Sequence, residues 1–225
     1  MVDKLIWIAI DGPAGSGKST IAKQLQKNYL QDFVYINTGA MYRALAYFFK
    51  INNINIDSQV ARQSVLNKIC INLINDNVYV EFDDKSIDAT PFIYNEEIAK
   101  LTSKISTFED VRKKLVSDQQ KIASNHNVIM DGRDIGTVVL PNATLKIYLD
   151  ASIHERARRR YLQLNKPEIS LQNLEQEIHE RDTMDKSRAI GALQKAQDAI
   201  LISTDNLSID ECCQKILDLL HLKLN

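Results

Sequence analysis

The sequence predicts an α/β fold, a five-stranded parallel sheet flanked by helices, and three observations predict it. Short apolar runs recur at Leu5–Asp11, Phe33–Ile36, Val128–Met130, Lys146–Leu149 and Ala199–Ser203, separated by helical or mixed segments. Strands buried on both faces read as continuous runs of this kind, and crossovers between them suggest a parallel sheet covered on both sides. The first run leads directly into a glycine-rich segment and then a helical pattern. One stretch in the first half of the chain breaks the alternation with a hairpin signal.

Leu5 to Asp11 ends in Gly12-Pro13, and Thr20 to Asn28 then carries helical spacing through Ile21, Ala22 and Leu25, so the chain opens as strand, glycine loop, helix. Ile69–Leu73 and Val78–Phe82 flank Asn75-Asp76-Asn77, whose turn-forming centre predicts a small antiparallel insertion. From Ser152 to Arg188 the chain is charged and helical in pattern, with an interruption near Pro167. No internal repeat or low-complexity segment interrupts this organisation.

Composition narrows the function classes. The 225 residues are 44% hydrophobic and 25% charged, as expected of one globular domain with a substantial core. Twenty-eight Lys and Arg against 29 Asp and Glu leave a net charge of -1, which argues against a general nucleic-acid or membrane-surface binder. Cys70, Cys212 and Cys213 lack metal-ligand spacing and fit a reducing compartment. The apolar opening is too short for a signal-peptide core, and no run approaches a membrane span, so a cytoplasmic protein is expected.

Gly12-Pro13-Ala14-Gly15-Ser16-Gly17-Lys18-Ser19 satisfies G-x-x-x-x-G-K-[ST] between the strand and the helix that this pattern requires. Glycines let the backbone wrap phosphate oxygens, successive N–H groups and the helix N-terminus supply partial positive charge, and Lys18 adds a full one. Ser19 is placed to offer its hydroxyl to Mg²⁺, and Thr20 completes the candidate ATP-binding set. The competing reading, a capped glycine turn with a solvent-facing lysine, does not account for motif and context together. Motors, GTPases and kinases share such a P-loop, so the reaction must be argued from other residues.

A GTPase needs an Asn-Lys-x-Asp segment, and the nearest candidate, Asn165-Lys166-Pro167-Glu168, fails at its last position. Isolated arginines stand near strand or helix ends instead: Arg43, Arg112, Arg133, Arg181 and Arg188, besides the cluster Arg156 to Arg160. Such a set can hold several phosphates at once. An acceptor that is itself a phosphate is already ionised at neutral pH, so phosphoryl transfer to it needs no general base. The four histidines show no catalytic spacing and read as surface residues. Arg181, Asp185 and Arg188 are spaced i, i+4, i+7, which on a helix turns all three one way; a surface ion-pair ladder is the bland alternative. For Arg133-Asp134 the bland alternative is a structural salt bridge. Of Arg156, Arg158, Arg159 and Arg160, four near-consecutive positions cannot share one side of a helix, so one or two are expected to reach phosphates, with Arg159 the candidate.

Asn37-Thr38-Gly39-Ala40-Met41-Tyr42-Arg43, Asp131-Gly132-Arg133-Asp134-Ile135-Gly136-Thr137, and Glu180-Arg181-Asp182 through Asp185 to Arg188 resemble the bacterial cytidylate kinase family. With the P-loop these segments span nearly the whole chain in the family's order. The resemblance implies a P-loop nucleoside monophosphate kinase that transfers the γ-phosphoryl group of ATP to CMP or dCMP with Mg²⁺. It implies one kinase domain over 1–225, with a core of 1–37, 126–151 and 190–225. It also implies a monophosphate-binding region at 38–125 with an insertion near 68–95, and a lid with its following helix at 152–189.

By the same resemblance Thr38, Ser103, Arg112 and Asp134 surround the cytosine. Arg43, Arg133 and Arg188 hold the acceptor phosphate, Arg181 and Asp185 contact the sugar, and Lys18, Arg133, Arg188 and Arg159 act in catalysis. Asp131 resembles the carboxylate that orients Mg²⁺ through water. Asn37 departs from the family pattern, where Asp is frequent, and is given no catalytic role. ATP and CMP or dCMP are then the partners of a monomer, with neither nucleic acid nor membrane. Two rivals stand beside this reading: a kinase of another monophosphate such as UMP, and a nucleotide-switched binding module.

Overall fold

The structure, a computed structural model, describes residues 5–74, 76–164 and 169–225. The interruption near Pro167, the Asn165–Glu168 segment and the turn residue Asn75 lie outside the described residues. The chain forms two compact units, one of residues 1–35 and 123–225 and one of residues 36–122.

In the first unit, β1 (Trp7–Asp11) leads through the glycine loop to α1 (Lys18–Asn28) and then to β2 (Val34–Asn37), which runs across the boundary between the units. The second unit follows with α2 (Thr38–Ile51), α3 (Gln59–Leu66), β3 (Cys70–Ile74), β4 (Asn77–Phe82), β5 (Lys85–Asp88), α4 (Glu96–Ile105) and α5 (Glu109–Ala123). The chain then returns to the first unit through β6 (Val128–Gly132), a π turn (Ile135–Val139), β7 (Leu145–Asp150), α6 (Ile153–Leu164), α7 (Leu171–Ser187), β8 (Ile200–Ser203) and α8 (Ile209–Leu224).

The main sheet has the order β2-β6-β1-β7-β8 and is parallel, as the five apolar runs predict. β1 is central: Asp11 stands beside Gly132 on β6 and Tyr148 on β7. Ile8, Ile10, Ile129, Ile147 and Leu149 form its fully buried interior together with Leu25 of α1 and Ile216 of α8. The end of α8 is less tightly held, since Leu222 is exposed, whereas its start is fixed by a capping box in which Ser208 and Glu211 satisfy each other's backbone N–H groups.

In the second unit, α2 buries Met41, Ala44, Leu45, Phe48 and Phe49, an i, i+3, i+4, i+7, i+8 stripe that packs on α4 and β4. The expected hairpin is present, with Ile71 opposite Val80 and Leu73 opposite Val78. A third strand extends it: β5 pairs with β4 through Ile87 opposite Val80. Lys85-Ser86-Ile87-Asp88 carries a single apolar residue, so its pattern is that of a loop, and only pairing with β4 makes it a strand.

Candidate active site

The phosphate loop begins where β1 ends. Gly12 has φ +148, and a Cβ there would lie 2.0 Å from the Leu149 carbonyl oxygen of the neighbouring strand, so no other residue fits without moving β7. Gly17, with φ 91, caps α1 in the left-handed region. Lys18 Nζ donates to Pro13 O at 2.6 Å and to Ser16 Oγ at 3.2 Å. Burial, and then Arg133, hold its ammonium well below the ordinary lysine range, while Asp131 and Asp11 pull the other way. Of the remaining residues of the set, Ala14 and Gly15 lie on the same loop and Thr20 is an exposed residue in the first turn of α1.

Asp131, near the end of β6, accepts from Ser19 Oγ at 2.8 Å through Oδ2 and from Tyr35 OH at 2.9 Å through Oδ1. Burial pushes its carboxyl upward. A hydroxyl and a carboxylate side by side are hard oxygen donors of the kind Mg²⁺ selects. Among the described residues no group of three or more His, Cys, Asp or Glu could hold a metal ion.

Asp185 is the hub of the arginine set. Its Oδ2 accepts from Arg133 Nε at 2.8 Å and its Oδ1 from Arg188 Nη2. Burial alone would raise its carboxyl, but Arg133, Arg188 and Arg181 outweigh that and hold it below the ordinary aspartate range. Arg133 thus forms a salt bridge with Asp185, 52 positions away. The i, i+4, i+7 expectation needs a correction at its last member. α7 ends at Ser187, and Arg188 has φ -59 and ψ 136, outside helical geometry. The chain reverses there, with Leu193 N donating to Asp185 O at 2.8 Å, and Arg188 reaches Asp185 from beyond the helix end.

Of the α6 arginines, two lie against the phosphate loop. Arg156 is buried and donates to Ala151 O, to Ala14 O of the loop at 3.1 Å and to Asp182 at 2.7 Å. Arg159 spans Glu155, at 2.9 Å, and Thr204, whose Oγ1 and carbonyl oxygen accept at 3.0 and 2.7 Å. A Cβ on Gly17 would meet its Nη1 at 3.8 Å, so Arg159 borders the loop, while Arg158 pairs with Glu155 and is 53% exposed. Arg158 and Arg159 hold the Glu155 carboxyl down to about 2. Beside the loop a cavity of about 340 Å³ is lined by Pro13, Tyr148, Asp150, Arg156, His179 and Asp182. All four histidines, His126, His154, His179 and His221, are exposed.

The second unit carries the rest of the expected set. Asn37 caps α2, accepting from Ala40 N at 2.8 Å, a role that an amide oxygen fills as well as a carboxylate. Thr38 is buried in the first turn of α2. Arg43 donates to Ile93 O at 2.9 Å and lies 5.7 Å from the centre of the Tyr94 ring. Ser103 donates back to Ala99 O at 3.1 Å within α4, and Arg112 is buried on α5.

Sequence reasoning passed over Asp11, Tyr35, Glu155, Asp182 and Thr204. Asp11 had a signal, a carboxylate ending an apolar strand one residue before the loop glycine. Glu155 had one too, standing three and four positions before Arg158 and Arg159 on a helical segment. Tyr35, Asp182 and Thr204 had none, because each gains its partner from a distant part of the chain.

A parallel sheet with a phosphate loop at its central strand, and arginines gathered beyond it, defines a P-loop phosphotransferase. Solved structures agree on the fold. The chain resembles a shikimate kinase from Acinetobacter baumannii at 18% identity and TM-score 0.51, covering 99% of this chain and 97% of that one. It resembles a gluconokinase from Sinorhizobium meliloti at 12% identity and TM-score 0.51, covering 96% and 92%. The cytidylate kinase family profile matches residues 8–222, and the chain belongs to that family. Among its relatives are cytidylate kinases of Alkaliphilus oremlandii, 47% identical over 96% of this chain and 98% of the relative, and of Mycoplasma genitalium, 43% identical over 93% and 94%.

Proposed function

We propose that the protein phosphorylates CMP and dCMP to CDP and dCDP with ATP, as a nucleoside monophosphate kinase. Full-length similarity to cytidylate kinases carries this reading, and the loop and arginine geometry supports it. The phosphate loop and Lys18 hold the donor phosphates. Arg133 and Arg188 take the acceptor phosphate, exchanging part of their pairing to Asp185 for it, while Arg181 and Asp185 meet the sugar. From the second unit the reading takes Arg43 for the phosphate, and Thr38, Ser103 and Arg112 for the base. Asp134 accepts from the cytosine N4 amino group, where uracil presents an acceptor oxygen instead.

The acceptor phosphate is already ionised, so these residues position and neutralise rather than abstract a proton. Ser19 directly, and Asp131 through water, would hold Mg²⁺, which when bound neutralises charge on the transferring phosphoryl group. Arg159 is assigned to the donor phosphates from its place beside Gly17. Residues 152–189 act as a lid whose closure excludes water from the transfer. Among the described residues no helix is long and apolar enough to cross a membrane. The free thiols Cys70, Cys212 and Cys213 support a cytoplasmic setting, in which a monomer acting on free nucleotides completes the reading.

The test is a coupled assay of ADP formation with CMP, dCMP, UMP and AMP. Turnover with CMP and dCMP well above that with UMP and AMP is expected; ATP turnover indifferent to CMP would remove the assignment.

A further inference from the structure

Asp11 belongs to none of the assigned roles, yet it is buried at the C-terminal end of the central strand with both carboxylate oxygens engaged. Oδ1 accepts from Ile135 N and Oδ2 from Gly136 N, each at 2.8 Å. These are the first two residues of the π turn, and opening N–H groups of a helical turn have no partner within the turn itself. Asp11 supplies that partner from a strand 124 positions away. The residue just before the turn is Asp134, with φ -141 and ψ 28, so fixing the next two peptide planes fixes where the Asp134 side chain starts. The residue just after Asp11 is Gly12, the first of the phosphate loop.

We propose that Asp11 is a positioning residue for the acceptor: its carboxylate holds the Arg133–Asp134 segment in register with the strand that carries the phosphate loop. One residue thereby ties the donor loop, through its backbone, to the acceptor-selecting segment, through its side chain. Burial pushes the Asp11 carboxyl up to about 6 against the opposing pull of the Gly136 and Ile135 N–H groups, so the bonds work against an unfavourable environment. Its two hydrogen bonds both come from backbone N–H groups of the turn, which distinguishes it from Asp185 with its bonded guanidinium groups, although Lys18 also draws on its charge. Gly136 fits the same account, since a Cβ there would lie 3.4 Å from Asp11 Oδ2 and 3.1 Å from Lys146 Cδ.

The inference rests on the reading that Arg133 and Asp134 meet the acceptor, and its experiment separates the two. Asp11→Asn keeps the shape but offers one acceptor oxygen and turns an amino group toward the second N–H. The expected result is a rise in KM for CMP of about tenfold or more, as for one lost charge-assisted hydrogen bond. ATP affinity, measured by calorimetric titration, stays within about twofold, and hydrogen exchange at the Ile135 and Gly136 amides accelerates. Unchanged kinetics, or equal weakening of ATP and CMP, overturns the proposal. Asp134→Ala is the reference: if it leaves the CMP to UMP ratio unchanged, the base-reading assignment fails. Asp11 is then still judged by the split between CMP and ATP and by exchange. Should Asp11→Asn fail to fold, Gly136→Ala perturbs the same turn by pressing on Lys146 Cδ beside the carboxylate, and is expected to give the same split in smaller measure, whereas equal loss for both nucleotides overturns it.

Discussion

Asp11 and Asp185 are both buried aspartates in the same unit, and their surroundings drive them in opposite directions. Asp185 is bonded to two guanidinium groups and is held below the ordinary aspartate range although burial opposes it. Asp11 is bonded only to backbone N–H groups and is pushed up to about 6. A carboxylate between arginines stores cations that an incoming phosphate can share, while one between amides fixes a turn. The difference separates residues that meet charge from residues that set geometry, and the sequence alone, with Asp11 before a glycine loop and Asp185 between two arginines, does not show it.

The largest expected effect lies where both kinds of residue act on one cation. Lys18 feels Asp131 and Asp11 on one side and Arg133 and Arg181 on the other. Lys18→Ala should lower kcat by on the order of 10²–10³ or more, as for loss of a group stabilising transition-state charge, with the fold intact by circular dichroism. Near-normal turnover in the folded variant would take the phosphate loop out of the mechanism. Arg188→Ala should follow, raising KM for CMP roughly ten- to hundredfold while ATP affinity holds, because the partner proposed for Arg188 is the acceptor phosphate. Equal loss for both nucleotides would make Arg188 a structural partner of Asp185 only.

Smaller effects sharpen the comparison through pH. Asp185 has a depressed carboxyl, so its contribution to stability is present above the unfolded value of 3.8 and is lost as pH falls through its lower folded value. Asp11 is raised, so its contribution is full below 3.8 and is lost as pH rises through about 6. Thermal melts should therefore show the deficit of Asp185→Asn growing as pH rises to about 4 and level above it, and that of Asp11→Asn shrinking between about 4 and 6. Parallel curves for the two variants would cancel the distinction. Glu155, held near 2 by Arg158 and Arg159, should behave like Asp185: its support for α6 is kept above 4.5 and lost only as pH approaches 2.

The main sheet and the phosphate loop were legible because their signals are local: an apolar run, then glycines whose spacing the backbone geometry demands. Each of the five apolar runs became a strand of the parallel sheet within a residue or two of its expected bounds. β5 was not legible, since Lys85–Asp88 owes its strand conformation to β4 rather than to its own pattern. The spacing of Arg181, Asp185 and Arg188 brought out the Asp185–Arg188 pair but not the helix end at Ser187, which is set by the reversal that bonds Leu193 to Asp185. Partners such as Asp182 for Arg156 and Thr204 for Arg159 come from sequence separations that periodicity does not carry. Asn37 shows the reverse case, a departure from the family pattern that turns out to be a helix cap.

Selection of cytosine is the claim on which the account turns, and Asp134→Ala tests it most directly. The measurement is kcat/KM for CMP and for UMP in the wild type and the variant, with circular dichroism to confirm folding. A carboxylate facing uracil O4 meets repulsion as well as a missing hydrogen bond, and losing a charged bond in a buried site costs about 1.5–3 kcal/mol. The account predicts that the CMP to UMP preference narrows by roughly tenfold or more, with maximal ATP turnover less affected. A ratio that stays unchanged while both activities fall together would contradict it, and would leave the base to be read by groups such as Ser103 and Arg112.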